Sequence, residues 1–569
     1  MLSQGVDHGD MKDTFSLHIV TRHSLQPLRL SVVLLAVFIS LSSHADDNRC
    51  VAWQPGGAEA LESNSGQALV FGRITIRTGD LFDLSRESEN AFVHSAANSL
   101  HLNTRQGTVF NALPFAEGDV FSVEKMLEAE RILRGKRYLR DALVTAHRLC
   151  ENRVDVEVRT VDNWTLTPSA SFGSAGGQTR YSFEIQDMNV LGLGKEFTLR
   201  NSRSGDEQKT LFQYGDDNVL GSRYRLGVQF SDMDGEPGYS LEFGLPFYSQ
   251  VATHAWQISA NESTRSLSSS GAYDDQQVPE LSLQSTRFEL QFSKRLPDSD
   301  LPTARLGGGI RIDQEQTLAA IDGQDIDSAT DYQQAYPFLS AQWSESRWVK
   351  RQNYIGIRNI EDIDLGLSVS AEAGLILRGL GNEEDTLRLS IDLDKGWYAG
   401  NSSLHNFSFH QLQYFGSREL ERKEISVRYQ FFYWLSDVDQ LDLRLSAQMR
   451  DGFSAFDNFA VGGADGLRGY PTRFQVGGRR VLGVAEYRHI TAWSPWSLVN
   501  TAVTGFIEGG RAWSEDEQAD TLANIGVGLL LAPTRSSRSA VNRFDIAVPL
   551  SSNEDLDAFQ IFIGTQINF

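Results

Sequence analysis

Arg468 stands in a glycine-rich run, Val461-Gly462-Gly463-Ala464-Asp465-Gly466-Leu467-Arg468-Gly469-Tyr470-Pro471. Glycines at 462, 463, 466 and 469 let a long loop fold tightly. A cation presented from such a loop needs an acidic or carbonyl partner once it leaves water. The chemistry on offer is therefore ion pairing rather than turnover, and the competing reading is an ordinary turn with a solvated arginine. A second run, Phe506-Ile507-Glu508-Gly509-Gly510, sets one carboxylate among apolar and small residues. No His-Glu-x-x-His, Gly-x-Ser-x-Gly, phosphate loop or metal-ligand spacing occurs, so neither catalytic residues nor a cofactor or metal is expected. The acidic run Asp322 to Asp331 reads as a solvated loop more readily than as a calcium site.

The elements that must position these residues emerge from composition and period. The chain has 569 residues, with 52 Lys+Arg against 74 Asp+Glu and a formal charge of -22, which argues against nucleic acid as a partner. Mean hydropathy is -0.31, too polar for a bundle of membrane helices. One apolar run, Leu30 to Leu41, follows Arg22 and Arg29 and precedes Ser43-His44-Ala45. It reads as a secretory signal within residues 1–45, with an extended leader and a possible start at Met11; an uncleaved anchor is the alternative. Export would place Cys50 and Cys150 in an oxidising compartment, as one disulfide or as two unrelated thiols.

Residues 46–69 are polar and small, a flexible lead-in. Residues 70–162 have the changing periods of a small α/β unit. Ile74 and Ile76 alternate with polar neighbours, and a helix is expected over Glu89 to Leu100. Ser122 is placed to cap a further helix carrying Val123, Met126, Leu127 and Leu133 on one face. A hairpin then turns at Cys150-Glu151-Asn152, with Val154, Val156 and Val158 inward.

From 163 to 569 a period of two takes over. Ile425, Val427, Tyr429, Phe431 and Tyr433 show it, as do Leu441, Leu443, Leu445, Ala447 and Met449. The interleaved rows hold Arg428, Asp442 and Arg444, and a strand at Leu387 to Asp394 adds Asp392. A soluble sandwich would put the apolar rows in a core. A transmembrane β-barrel would put them against lipid and the polar rows around a wet lumen, and it must close because an unpaired edge in lipid costs several kcal/mol per group. The end of the chain favours the barrel: Phe559, Ile561, Ile563, Ile567 and Phe569 share one face, with Gly564 among them and Phe569 terminal.

Taken in order, the α/β unit, the barrel, the Arg468 run and the Phe506 to Gly510 run resemble the bacterial surface antigen (D15) family of outer-membrane assembly factors, the BamA/TamA-like proteins. The α/β unit resembles one POTRA (polypeptide-transport-associated) domain, with Asn98-Ser99-Leu100-His101 and Phe115-Ala116-Glu117-Gly118-Asp119 at its punctuation points. The barrel opens in the family manner at Asp187 to Lys195, with an echo at Asp216 to Gly221. The resemblance implies a mostly β chain, an antiparallel barrel of about 16 strands behind one POTRA-like unit, while the count of alternating segments leaves 18 or 20 open. It also implies that Arg468, on a loop with Gly462, Gly463, Leu467, Gly469 and Tyr470 folded into the lumen, pairs with Glu508 and lies against Phe506, with Gly510 leaving room.

Gly564, Ile567 and Phe569 would then form the C-terminal insertion signal. The implied setting is a Gram-negative outer membrane with the POTRA unit in the periplasm. The implied partners are outer-membrane lipids, unfolded outer-membrane or secreted client proteins, and a periplasmic or inner-membrane partner reached through the POTRA unit. The implied work is insertion or translocation without ATP, with the seam between the first strand and the last as the place where the bilayer is disturbed. A two-partner-secretion translocator, a passive pore, and a lipid-handling or structural surface protein are the other readings.

Overall fold

The computed structural model describes residues 50–565 apart from 54–67, 176–177, 205–206, 268–280, 298–302, 321–331, 383, 401, 417–421, 454–456, 516–518, 536–540 and 552–555. The expected signal, Met11, the acidic run ending at Asp331, and Ile567 and Phe569 lie outside the described residues.

The small unit is a sheet of four strands, β1 (Cys50–Ala52), β2 (Val70–Gly79), β3 (Leu139–Cys150) and β4 (Arg153–Asp162), in the order β1-β3-β4-β2 with β2 parallel to β4. Three helices cover it: α1 (Phe92–Leu100), α2 (Gln106–Ala112) and α3 (Val123–Gly135). Val154, Val156 and Val158 are buried, as their alternation requires, each contributing roughly 1.5–3 kcal/mol of burial. Two expectations are corrected. The lead-in is not wholly irregular, because Cys50–Ala52 pairs with β3 and Cys50 is disulfide-bonded to Cys150. On α3, Ser122 does cap the first turn, but Val123 and Leu127 are exposed. The buried stripe is Met126, Ala129, Glu130, Leu133 and Arg134, a helical spacing that includes an ion pair and therefore hides from a search for apolar residues.

Twenty strands, from Leu166–Ala175 to Gln560–Thr565, form one antiparallel sheet whose order runs in a circle and returns the last strand to the side of the first. This replaces the sixteen strands implied by the resemblance. Each long alternating segment makes its own ladder, for example Leu281–Arg295 with Thr303–Ala320, and the segments that do form separate hairpins, Trp348–Gln352 with Ile360–Asp364 and Phe459–Val461 with Gln475–Gly477, stand outside the circle.

The alternation has a consistent sense. In Val499–Trp513 the side chains of Asn500, Ala502, Thr504, Phe506, Glu508 and Ala512 are buried, while Val503 and Ile507 are exposed. Ile525, Val527, Phe544, Ile546, Ile561 and Ile563 continue the exposed apolar row on neighbouring strands. A continuous apolar exterior of this kind is an aggregation hazard in water and a solvated surface in lipid. Among the described residues no helix is long and apolar enough to cross a membrane, which leaves crossing by strands untouched.

The echo in the sequence has a structural meaning. Val190–Gly192 and Val219–Gly221 form matching single turns, with Leu191 and Leu220 both at positive φ, and both receive the small unit. The Arg105 amide and the Thr108 hydroxyl donate to the Gly192 carbonyl, each at 2.9 Å, and Asn218 Nδ2 donates to the Asn111 carbonyl at 3.3 Å. Buried Asp162, at the end of β4, accepts from the Thr104 amide at 2.7 Å and from the Thr104 hydroxyl at 2.9 Å. The repeat is thus a cradle for α2 and fixes the α/β unit on one rim of the barrel.

Candidate functional site: a charge cluster inside the barrel

The loop after strand Asp439–Asp451 turns into the barrel rather than away from it. Its two limbs pair at Phe459–Val461 and Gln475–Gly477, and the turn between them passes through Gly462 at φ +124°, where a Cβ would stand 2.0 Å from the Pro471 carbonyl oxygen. Leu467 sits at φ +65°. Leu467, Tyr470 and Val461 are fully buried with Leu482, Val484, Ala512 and Leu522 of the wall, and the Tyr470 hydroxyl donates to the Ala523 carbonyl at 2.9 Å. This apolar footing positions Arg468, which is 1% exposed.

Three strands meet that guanidinium, and a fourth supports it through Asn524. Glu508 is bidentate: Oε2 accepts from the Arg468 amide at 2.7 Å and Oε1 from Nε at 2.8 Å. Nη1 reaches Asp545 Oδ2 at 2.6 Å and Nη2 reaches Glu486 Oε2 at 3.3 Å. The group lies over the Phe506 ring, 3.4 Å from its centroid, a cation–π contact of order 1–2 kcal/mol when desolvated. Asn524 Nδ2 donates to Glu508 Oε2 at 2.9 Å. Arg543 bridges Asp545 and Glu486 from the other side, at 2.7 and 2.9 Å, and Arg444 stands 3.9 Å from Glu486. Arginines 468, 543 and 444 thus answer carboxylates 508, 545 and 486, which is the condition for tolerating buried charge.

The sequence reading brings Arg468, Glu508 and Phe506 together, and so does the structure. Glu508 takes both the backbone amide and the side chain of Arg468. Gly510 plays a different part from the one expected. The space beside it is filled by the Val481 carbonyl and Leu482, not by the arginine. The glycine that admits Phe506 is Gly526, whose Cβ would be 2.2 Å from Phe506 Cζ. Glu486, Asp545, Arg543 and Asn524 were not singled out; each is a lone polar residue at an inward position, a signal shared by every lumen residue. Gly564 pairs with Arg543 in the last described strand, beneath Phe562. No group of acidic, His or Cys residues able to hold a metal occurs among the described residues.

A second inward element was also missed. Between strands Tyr332–Ser344 and Leu367–Ile376 the chain makes the hairpin Trp348–Gln352 and Ile360–Asp364, held to α3 at its stalk. Arg134 forks onto Asp362 at 2.9 and 3.0 Å and reaches Glu130 at 3.2 Å; Lys350 Nζ meets Glu130 at 3.0 Å. The Arg131 guanidinium lies 4.7 Å over the Trp348 ring. Burial alone would raise the Glu130 pKa, but the Val144 amide, Lys350 and Arg134 outweigh it and hold the carboxyl below its ordinary range.

These features define a strand-built barrel with a salt-bridged loop folded inside it and a small α/β unit on its rim. No family model matches the chain, and no curated protein does. Among solved structures it is similar to BamA from Haemophilus ducreyi lacking POTRA domains 1-3, at 14% identity and TM-score 0.37 over 86% of this chain and 84% of that one. It is similar also to CdiB from Escherichia coli, at 14% identity and TM-score 0.44 over 86% and 75%. CdiB from Acinetobacter baumannii gives 14% identity and TM-score 0.43 over 90% and 77%. Likenesses this low carry no argument, so the fold rests on the strand ladders.

Proposed function

We propose that this chain is an outer-membrane barrel of the assembly and translocation type, which helps client proteins insert into or cross the outer membrane without ATP. The observation that carries the reading is Arg468, delivered by a loop into the barrel and neutralised there by Glu508, Asp545 and Glu486. A passive pore gains nothing from closing its lumen with a loop fixed by buried charge. In this reading the loop braces the strands near the chain's end while the seam between Leu166–Ala175 and Gln560–Thr565 disturbs the bilayer. These two strands are neighbours in the circle.

The α/β unit would act as the periplasmic POTRA-like domain. Strand β2 ends its sheet; residues 117–121 cover its start around Val70 and Phe71, and the part beyond Ile74 would offer an edge to an extended client by β-augmentation. The test reconstitutes the protein in liposomes and scores client insertion and ion conductance separately. Arg468→Ala and Glu508→Ala are expected to lower insertion. If wild type conducts ions and inserts nothing, the passive-pore reading takes its place.

A further inference from the structure

The tip of the 345–366 hairpin lies inside the barrel, and the wall holds it by backbone and side chains together. Arg488 Nη1 donates to the carbonyls of Tyr354 and Ile355 at 3.3 and 3.4 Å, and Asn500 Nδ2 donates to the carbonyl of Ile357 at 3.2 Å. Bonds to carbonyls do not depend on which side chains the held segment carries. Side chains are held as well: Asn353 Nδ2 donates to the Asp437 carbonyl and Arg358 Nη2 to the Thr491 carbonyl, each at 3.1 Å. The Tyr354 hydroxyl donates to Gln430 at 2.8 Å and accepts from Asn406 at 2.7 Å. Ile357, 0% exposed, fills a socket of Ile490, Ala502, Leu530, Ala532 and Val541. The tip keeps its own shape through Glu361, whose carboxylate accepts from the amides of Tyr354, Ile355 and Gly356 at 2.9, 3.0 and 3.3 Å. Beside it remains a cavity of about 220 Å³ bordered by Arg428, Asp442 and Arg444 and by Leu445, Leu482 and Val484.

From this arrangement we infer that the lumen contains a polypeptide-binding seat, occupied here by the chain's own hairpin as an intramolecular ligand. The seat takes a short turn of polypeptide with one aliphatic side chain for the socket, gripping the rest through carbonyls and polar side chains. Seated, the hairpin plugs the barrel; displaced, it leaves a site of the right chemistry for a segment of another protein. The stalk is tied to α3 by Arg134–Asp362 and Lys350–Glu130, so movement of the small unit pulls on the plug. Only the identity of the competing segment rests on the translocation reading.

The test uses the full chain in planar bilayers, with residues 353–359 replaced by a Gly/Ser linker of equal length, and Ile357→Asp as a second variant that keeps the backbone. Heat-modifiable migration in gels checks that each is folded. Both variants are expected to conduct several-fold more than wild type. A synthetic peptide spanning Arg351 to Glu361, added on the side of the α/β unit, is expected to restore the block in the linker variant, and the same peptide carrying Ile357→Asp is not. Wild-type conductance in a folded variant, or equal block by the two peptides, overturns the proposal. The readout needs no client protein, so failure of the insertion assay and failure of the seat are distinguishable.

Discussion

Two elements fill the barrel, and they are held by different physics. The Arg468 loop is locked by charge: one guanidinium among three carboxylates, with neither Arg468 nor Glu508 measurably open to solvent. The hairpin tip is held by hydrogen bonds to carbonyls and polar side chains and by one aliphatic socket, and its stalk is ion-paired to the small unit. Removing a charge from the first leaves partners stranded in low dielectric. Withdrawing the second breaks hydrogen bonds to carbonyls and frees the Arg488 guanidinium, which water entering the lumen can solvate. The contrast suggests a fixed brace and a removable plug.

The largest effect is expected from the brace. Arg468→Ala leaves Glu508, Asp545 and Glu486 undercompensated, at a cost of roughly 3–5 kcal/mol, read as a lower thermal midpoint of the heat-modifiable form. A variant as stable as wild type would break the comparison. Next, Ile357→Ala empties the socket, at roughly 2–5 kcal/mol. Because that cost falls on seating rather than on the strands, limited proteolysis should cut the 353–359 tip faster while the barrel's thermal midpoint holds. Gly526→Ala drives a Cβ into Phe506 and should cost roughly 1–3 kcal/mol, lowering the same midpoint as Arg468→Ala without altering tip proteolysis.

The smallest effect concerns pH. Glu130 is depressed in the folded chain, so its contribution to the clasp is fully present above the ordinary glutamate value near 4.3 and is lost as pH falls through the lower folded value. Tip proteolysis by an acid-active protease should therefore rise below about pH 4, and Glu130→Gln should flatten that dependence. An unchanged profile in the variant would remove Glu130 from the clasp.

Much of this was legible in the sequence. Alternation at Ile425 to Tyr433 and Leu441 to Met449 showed the strands and which rows are wet, because side-chain period in a strand is fixed at two. Arg468 and Glu508 could be paired only through the resemblance that their two glycine-bearing runs carry. The rest of the cluster could not, since Glu486 and Asp545 are single carboxylates at inward positions, indistinguishable from Asp392 or Asp442 until the strands are curved round. The hairpin escaped for a related reason: Trp348–Gln352 and Ile360–Asp364 are short and polar, and what fixes them, Arg134, Gln430 and Asn500, is far away in the chain. On α3 the buried face carries Glu130 and Arg134, so the apolar residues pointed to the wrong side. The count of alternating segments left 20 strands open, against the sixteen implied by the resemblance; that they run in one circle is a property no local pattern contains.

The central claim is that Arg468 is held by charge, with Glu508 its principal partner, and a double-mutant cycle tests it most directly. Unfolding would be followed for wild type, Arg468→Ala, Glu508→Ala and the double variant in the same lipid. The expected result is that the double variant is less destabilised than the sum of the single ones, with a coupling at the upper end of roughly 0.5–3 kcal/mol. Additive losses would mean that the two groups do not hold each other, and the brace would have to be abandoned.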